Sequence, residues 1–185
     1  MADQHLEKIQ RDLQYVKDRL AIQDLVARHA RGHDRHDNEL ITSCYWKDGI
    51  DQHGNAVNPG PKYADWVNDD HAKASTLHQH FIATHNCEIN GDVAHCESYV
   101  LVGLLDHGEK TSKLIGGRYI DRLERRNGEW KIALRRSIVD VLIAGDASML
   151  QHPLFKEMGY IRGTWDKSDI SYDRPLKLET AAKKW

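Results

Sequence analysis

Residues 114–142, LIGGRYIDRLERRNGEWKIALRRSIVDVL, constrain the fold more strongly than any other part of this sequence. Two runs rich in β-forming residues, 114–124 and 130–142, flank the tetrapeptide Arg126-Asn127-Gly128-Glu129. An Asn-Gly pair between two such runs is a strong β-hairpin signal, because both residues readily adopt the positive φ of a tight turn. The stretch therefore predicts two long antiparallel strands.

A second hairpin precedes the first in the chain. Residues 77–89 and 94–105 are again dominated by β-formers, and Ile89-Asn90-Gly91-Asp92 links them. The N-terminal third instead has the period of a helix that we expect to end at Gly32. Its apolar residues recur at steps of three and four: Leu6, Ile9, Leu13, Val16 and Leu20.

Two shorter helices are predicted between the long helix and the strands, at residues 38–45 and 62–70, with a strand edge and loop at 48–61. Helices followed by long antiparallel strands indicate an α+β domain, with the helices on one face of a curved sheet. We expect this domain to cover residues 1–145. Residues 146–185 then form an irregular extension, packed on a pocket mouth or on a neighbouring subunit.

Composition excludes several classes of function. The 185 residues include 26 basic and 28 acidic ones, a formal charge of −2 without a basic stripe, so nucleic acid and anionic membranes are poor partners. No stretch approaches the roughly 20 apolar residues of a membrane span. The three cysteines, Cys44, Cys87 and Cys96, have no CxxC spacing. These features predict a cytoplasmic protein with reduced thiols.

One histidine and one aspartate are candidates for chemistry. Strand alternation puts His78, His80, Ile82 and Thr84 on one face, and the opposite face includes His85. Asp34 follows directly on the first helix. Each has an ordinary alternative, His80 as a core histidine and Asp34 as a turn or cap residue. If Asp34 faces the pocket, it can accept a proton from one nitrogen of His80 and raise the basicity of the other.

The histidine-rich composition leaves metal binding as a rival hypothesis. His29, His33 and His36 lie four and three residues apart, and His78-x-His80 could add ligands from the sheet. This signal is weak, because a helix ending at Gly32 would not keep the three side chains on one face. A His–Asp dyad without a nucleophilic Ser or Cys suits proton abstraction and needs neither metal nor cofactor, and we expect neither.

Three motifs together resemble the SnoaL-like branch of the NTF2-like superfamily, which has a cystatin-like cone fold. They are DRLAIQDL at 18–25, GHD at 32–34 and GGRYIDRLERRNGEWKI at 116–132. Within that branch the chain is most similar to hexachlorocyclohexane dehydrochlorinases and bile acid 7α-dehydratases, with scytalone dehydratases more distant. The resemblance covers residues 13–141.

The resemblance implies a set of site residues. Asp34 and His80 fall on the dyad positions of the family, and His29 falls where relatives have a Lys or Tyr that assists the leaving group. Arg135 falls on a pocket arginine, although strict strand alternation would favour Arg136. Two further candidates come from position alone: Tyr45, at the end of the second predicted helix, is either a pocket hydroxyl or a core aromatic, and His78 shares the strand face of His80. The full set comprises catalytic Asp34, His80 and His29, and substrate-binding Arg135, Tyr45 and His78.

The function implied is that of a cofactor-independent lyase, of dehydratase or dehydrohalogenase type. Its substrate would be a hydrophobic cyclic or aromatic small molecule. The protein would assemble as a homotrimer, or alternatively as a dimer. Similar folds also include lyases that release formaldehyde from lignin-derived diarylpropanoids, ketosteroid-type isomerases and non-catalytic ligand-binding modules. These stay open as alternatives.

Overall fold

A computed structural model describes residues 2–185. The α-helices are α1 (Ala2–Asp34), α2 (Asn38–Ser43), α3 (Gly60–Ala74) and α4 (Pro153–Glu157). The strands are β1 (Tyr45–His53), β2 (Ala56–Pro59), β3 (Leu77–Asn90), β4 (Val93–Leu105), β5 (Thr111–Arg126) and β6 (Glu129–Asp146). Short 3₁₀ helices lie at Ser148–Gln151 and Ile170–Tyr172.

The strands form one mixed sheet in the order β2-β1-β6-β5-β4-β3. Only β1 and β6 are parallel, and every other described pair is antiparallel. Both predicted hairpin turns are present, with φ values of 60° at Gly91, 53° at Asn127 and 81° at Gly128. The predicted fold class, helices on a mostly antiparallel sheet, is therefore confirmed.

The hydrophobic core lies between the helices and one face of the sheet. It is contributed by the second half of α1, by α2 and α3, and by inward-facing residues of the strands. Within residues 2–185, no helix combines the length and the hydropathy required to cross a membrane. The core fixes α1 against the edge strand β3, and the residues at this junction form the candidate site described below.

The end of α1 differs from the prediction. The helix does not stop at Gly32 but continues to Asp34. A Cβ atom at Gly32 would lie 2.7 Å from Cγ1 of Ile41. Glycine therefore serves close packing of α2 on α1 and does not terminate the helix. The second helix also ends earlier than predicted, at Ser43, so that Tyr45 begins β1.

The N-terminal half of α1 is helical as predicted, but its apolar stripe does not pack on this chain. The side chains of the stripe are about half exposed, from 48% for Ile9 to 58% for Leu13. Helical period alone identified the helix and could not specify what the stripe contacts.

Two irregularities in the sheet change which side chains face inward. The β3–β4 register shifts between Ile82 and His85, so His85 lies on the face of His80 and not on the opposite face. In β6, a shift in the pairing with β5 skips Ala133. This extra residue places Arg135 on the inward face with Trp130 and leaves Arg136 exposed, contrary to strict alternation.

Candidate active site

Asp34 and His80 form a close pair between α1 and β3. The Nδ1–H of His80 donates to Oδ1 of Asp34 over 2.7 Å. The backbone N–H of His80 donates to the same carboxylate, at 2.9 Å to Oδ1 and 3.1 Å to Oδ2. The His80 side chain is 4% exposed and that of Asp34 is 12% exposed. Because the carboxylate accepts from Nδ1–H, the other ring nitrogen, Nε2, is left with its lone pair.

The local fold explains why Asp34 points at β3. The chain reverses directly after α1, with the Asp37 N–H donating to the Gly32 carbonyl over 2.9 Å. Asp37 then caps α2 through the Leu40 N–H, at 3.0 Å. The turn fixes the last residue of α1 beside the edge strand, so the Asp34 carboxylate reaches the backbone and the ring of a single strand residue.

A second histidine, His29, lies in a fully buried network one turn and a half back along α1. Its Nδ1 accepts a hydrogen bond from Nη1 of Arg135 over 2.8 Å. Its Nε2–H donates to the Tyr45 hydroxyl over 2.9 Å, and that hydroxyl donates to Oδ2 of Asp51 over 2.7 Å. Arg135 also forms a bidentate pair with Asp121, with both contacts at 2.7 Å. Because a guanidinium can only donate hydrogen bonds, His29 must accept at Nδ1 and carry its proton on Nε2, and this fixes the donor and the acceptor of each bond that follows.

The electrostatics of this network follow from burial. Desolvation, followed by the charge of Arg135, holds the pKa of His29 well below its usual value, so the ring is neutral. Desolvation raises the pKa of Asp51 to about 6, against the opposing effects of the Tyr45 hydrogen bond and the Arg135 charge. Asp51 Oδ1 has no hydrogen-bond partner among the described residues. The network is thus held together by one arginine shared between a carboxylate and an imidazole.

The resemblance implies that His29 assists a leaving group. In the structure both of its ring nitrogens bind side chains of the protein, those of Arg135 and Tyr45. Arg135 is itself 0% exposed and Tyr45 is 4% exposed. The three residues thus form one buried hydrogen-bonded group.

Further histidines surround the Asp34–His80 pair. The ring of His33 lies 5.1 Å from that of His80, between centroids, and 5.5 Å from that of His71. The Nε2–H of His78 donates to the His33 carbonyl over 2.8 Å, which fixes the orientation of that ring, and one His78 nitrogen lies within 4.8 Å of ligand atoms of Asp34 and His80. Desolvation lowers the pKa of His78 to about 4, so this ring is also neutral.

The C-terminal extension lies against the end of α1. The Trp165 ring packs on that of His36 at 4.5 Å between centroids. Arg35 makes an ion pair of 3.2 Å with the buried Asp169, and the Tyr172 hydroxyl donates to Asp37 over 3.1 Å. The extension thus contacts the turn that carries Asp34.

Two cavities border these groups. A groove of about 300 Å³ between α1 and β3 is lined by the dyad, by small and apolar side chains and by Arg31 and Arg35. A larger cavity of about 650 Å³ lies between the far end of the sheet and the C-terminal extension. It reaches His78 but neither dyad residue. The smaller groove is the one that places a ligand against His80.

Sequence reasoning missed several members of the site. Asp51 belongs to a stretch predicted as a loop edge, so nothing marked its side chain as buried. Asp121 was visible in the GGRYIDRLERR motif, but only the register of β5 against β6 pairs it with Arg135. His71 lies on α3 outside the histidine-rich runs, and its approach to His80 follows from helix packing alone.

A family model for SnoaL-like domains matches residues 14–136. Because this is more than half of the chain, the protein belongs to the SnoaL-like family, and the predicted resemblance is confirmed. No curated protein matches the sequence at a significant level.

Three solved structures illustrate what the chain is similar to. A hexachlorocyclohexane dehydrochlorinase (LinA-type3) from Novosphingobium barchaimii shares 26% identity at a TM-score of 0.68, over 72% of this chain and 94% of that one. A protein of unknown function from Mycobacterium tuberculosis shares 30% identity at 0.61, over 70% and 75%. A cystatin-like protein from Nostoc punctiforme, at 23% identity and 0.56 over 66% and 91%, supports the fold alone.

Proposed function

We propose that this protein is a cofactor-independent lyase in which His80 is the general base. The observation that carries the proposal is the 2.7 Å hydrogen bond from Nδ1–H of His80 to Asp34. This bond selects the tautomer whose Nε2 can accept a proton, and the carboxylate stabilises the imidazolium that results. The similarity of the chain to a hexachlorocyclohexane dehydrochlorinase, at 26% identity, supports the same reaction class.

The proposed step is a β-elimination. Nε2 of His80 removes a proton from a substrate carbon, the electron pair of that C–H bond forms a C=C bond, and the group on the neighbouring carbon departs with its bonding electrons. The departing group is a halide, or a hydroxyl that takes the proton from the His80 imidazolium and leaves as water, which returns His80 to its neutral form. Asp34 stays ionised and holds the imidazolium in place.

The buried network supports this step indirectly. His29 on α1 binds Tyr45 on β1 and Arg135 on β6, so these contacts restrict the positions that α1 can take against the sheet. We assign them the role of positioning residues. His78, whose ring is fixed to the His33 carbonyl, lines the larger cavity, and we propose that it contacts substrate groups that extend beyond the groove.

The groove indicates the substrate class. Ala27, Ala30 and Ile82 supply an apolar lining beside the dyad, and about 300 Å³ is at the lower end of the range for small-molecule sites. A single hydrophobic ring, alicyclic or aromatic, matches this volume. The two arginines at the rim could hold a departing anion or a polar substituent.

We also propose that the protein is a homo-oligomer, with a trimer favoured over a dimer by resemblance. The exposed apolar stripe on α1 and the exposed side chains Val139, Val141 and Ile143 of β6 support association. Sedimentation equilibrium measures the assembly directly. A monomer at micromolar concentration would contradict this part of the proposal.

The reaction class is tested by product analysis. The purified protein is incubated with hexachlorocyclohexane, and with cyclic alcohols that bear an acidic C–H next to the C–O bond. Elimination releases chloride or water and gives an alkene, detected by ion chromatography and mass spectrometry. We expect turnover by the wild type and its loss in His80→Gln. Undiminished turnover by His80→Gln would contradict the proposal.

The same assay separates the alternatives. A C–C lyase acting on diarylpropanoids releases formaldehyde, and an isomerase gives a product of unchanged mass. A binding module retains affinity for the ring compounds without converting any of them. Each of these outcomes would replace elimination with the corresponding function.

A further inference from the structure

The buried imidazole ring of His33 lacks hydrogen-bond partners. It is 1% exposed, and neither Nδ1 nor Nε2 has a hydrogen-bond partner among residues 2–185. Leaving a buried polar group without a partner destabilises a folded protein, so such groups usually bind a water molecule or an ion. Both ring nitrogens of His33 are therefore open to a ligand in the interior of the protein.

Two other imidazoles converge on His33. One ring nitrogen from each of His33, His71 and His80 lies within 4.8 Å of the other two. Nδ1 of His71 is likewise buried without a partner in the described chain. Nδ1 of His80 is engaged by Asp34, so Nε2 is the His80 atom that remains for a ligand. Three separate elements, α1, α3 and β3, thus direct imidazole nitrogens to one point.

The hydrogen bonding around the cluster suits a metal ion. Both ring nitrogens of His33 and Nδ1 of His71 are unoccupied by any group of the described chain. Metal-bound histidines commonly donate their second ring N–H to a carboxylate, and His80 donates to Asp34 in this way.

We propose that His33, His71 and His80 bind a divalent transition-metal ion, and that Zn²⁺ is the best match for this set of ligands. Three imidazoles with a fourth position open is an established arrangement for Zn²⁺. Zn–N distances of about 2.0–2.1 Å put ligand nitrogens about 3.3 Å apart in a tetrahedral site. The rings must therefore close in by small rotations when the ion binds.

The ion would change what His80 can do. It uses the Nε2 lone pair that the proposed elimination needs for proton abstraction, so the metal-bound and the base-competent forms exclude each other. This consequence alone rests on the proposed function. Binding of the ion does not, and it can be measured without any substrate.

Two other clusters provide rival locations. One, Asp34 with His78 and His80, shares His80 but not His71, so loss of binding in His71→Asn distinguishes it. The other contains sulfur. Nitrogen and sulfur atoms of His85, Cys87 and Cys96 also lie within 4.8 Å of one another. Thiolates favour soft metals and give intense sulfur-to-cobalt charge-transfer absorption, which imidazoles do not. Spectroscopy with Co²⁺ therefore distinguishes this location from the proposed one.

The test is a titration of metal-free, untagged protein with Co²⁺, followed by visible absorption, and then displacement by Zn²⁺ in a calorimeter. We expect one ion per chain, a tetrahedral d–d spectrum without a thiolate band, and loss of at least about 100-fold in affinity in His71→Asn. His95→Asn, the same change at an exposed position on β4, should bind as the wild type does. His33→Asn provides a second variant if His71→Asn fails to fold.

Absence of binding, or equal affinity in His71→Asn and in the wild type, would overturn the proposal. A thiolate band would place the ion at Cys87 and Cys96 and would overturn it as well. None of these outcomes affects the elimination assay, so failure of the metal site and failure of the proposed lyase function are separate results.

Discussion

His80 and His29 are two histidines of one site with opposite connections. His80 donates Nδ1–H to Asp34 and keeps Nε2 free of the protein's own donors, beside a groove. His29 accepts from Arg135 at Nδ1 and donates Nε2–H to Tyr45, within the fully buried network. The same residue type is thus in opposite tautomers a short distance apart.

The difference teaches which histidine can perform chemistry. A general base needs a lone pair, access to the substrate and a partner that stabilises the charged form. His80 has all three features, whereas His29 has its lone pair bound to a guanidinium that disfavours protonation. Position in a family motif does not distinguish these cases, but hydrogen-bond direction does.

The largest expected effect separates the two histidines by rate. His80→Gln should lower kcat of the elimination by about 10²–10⁴-fold, the range of a lost general base, with little change in the free energy of unfolding. His29→Gln should instead leave kcat within about tenfold and lower the free energy of unfolding by roughly 1–3 kcal/mol. Equal rate losses in both variants would remove the distinction between base and positioning residue.

The next effect concerns the guanidinium of Arg135, which joins His29 to Asp121 in the buried network. Arg135→Met leaves the carboxylate of Asp121 buried and unpaired, and should lower the free energy of unfolding by about 3–5 kcal/mol. Arg136→Met is the matched control on the exposed face, with an expected change within about 0.5 kcal/mol. Urea denaturation measures both. Similar costs for the two variants would show that the buried pair contributes little.

A smaller effect is expected in the pH dependence of stability. Folding raises the pKa of Asp51 from 3.8 to about 6, so the folded protein holds this proton more tightly than the unfolded chain. Stability is therefore lost as pH rises from about 4 to 6, by up to about 3 kcal/mol.

Asp51→Asn should abolish that component. The difference in unfolding free energy between wild type and variant, measured by denaturant titration from pH 4 to 7, isolates Asp51 from the titration of the histidines. The variant should gain stability relative to the wild type as pH rises. A constant difference across this range would contradict the raised pKa.

The smallest effect concerns the C-terminal extension. Asp169 accepts hydrogen bonds from the Thr164 and Ser171 N–H groups and pairs with Arg35. Asp169→Ala should cost roughly 1–3 kcal/mol locally and expose residues 146–185 to limited proteolysis, while the rest of the domain stays resistant. Glu157→Ala, on an exposed helix end, is the control. Unchanged proteolysis would show that Asp169 does not hold the extension.

Much of the fold was predictable because its signals are local. The Asn-Gly turns at 90–91 and 127–128 identified both hairpins, and helical period identified α1. The predicted end of α1 was wrong because glycine at position 32 is required by the close tertiary contact with Ile41, which no local signal reveals.

The candidate site was predictable in part, and for a different reason. Asp34 and His80 were identified through family motifs, and their contact follows from packing of α1 on β3. The face of Arg135 depended on the extra residue Ala133, and strict alternation would have chosen Arg136. Asp51 and His71 became part of the site only through long-range contacts, which sequence patterns do not encode.

The most direct test of the central claim is the tautomer of each histidine, read by ¹⁵N NMR of the histidine rings in metal-free protein. The account predicts a neutral His80 protonated at Nδ1 with Nε2 free, and a neutral His29 protonated at Nε2, with each signal assigned through His80→Gln and His29→Gln. A His80 ring protonated at Nε2 would leave that nitrogen without a lone pair to accept a substrate proton, and would contradict the role of His80 as the base.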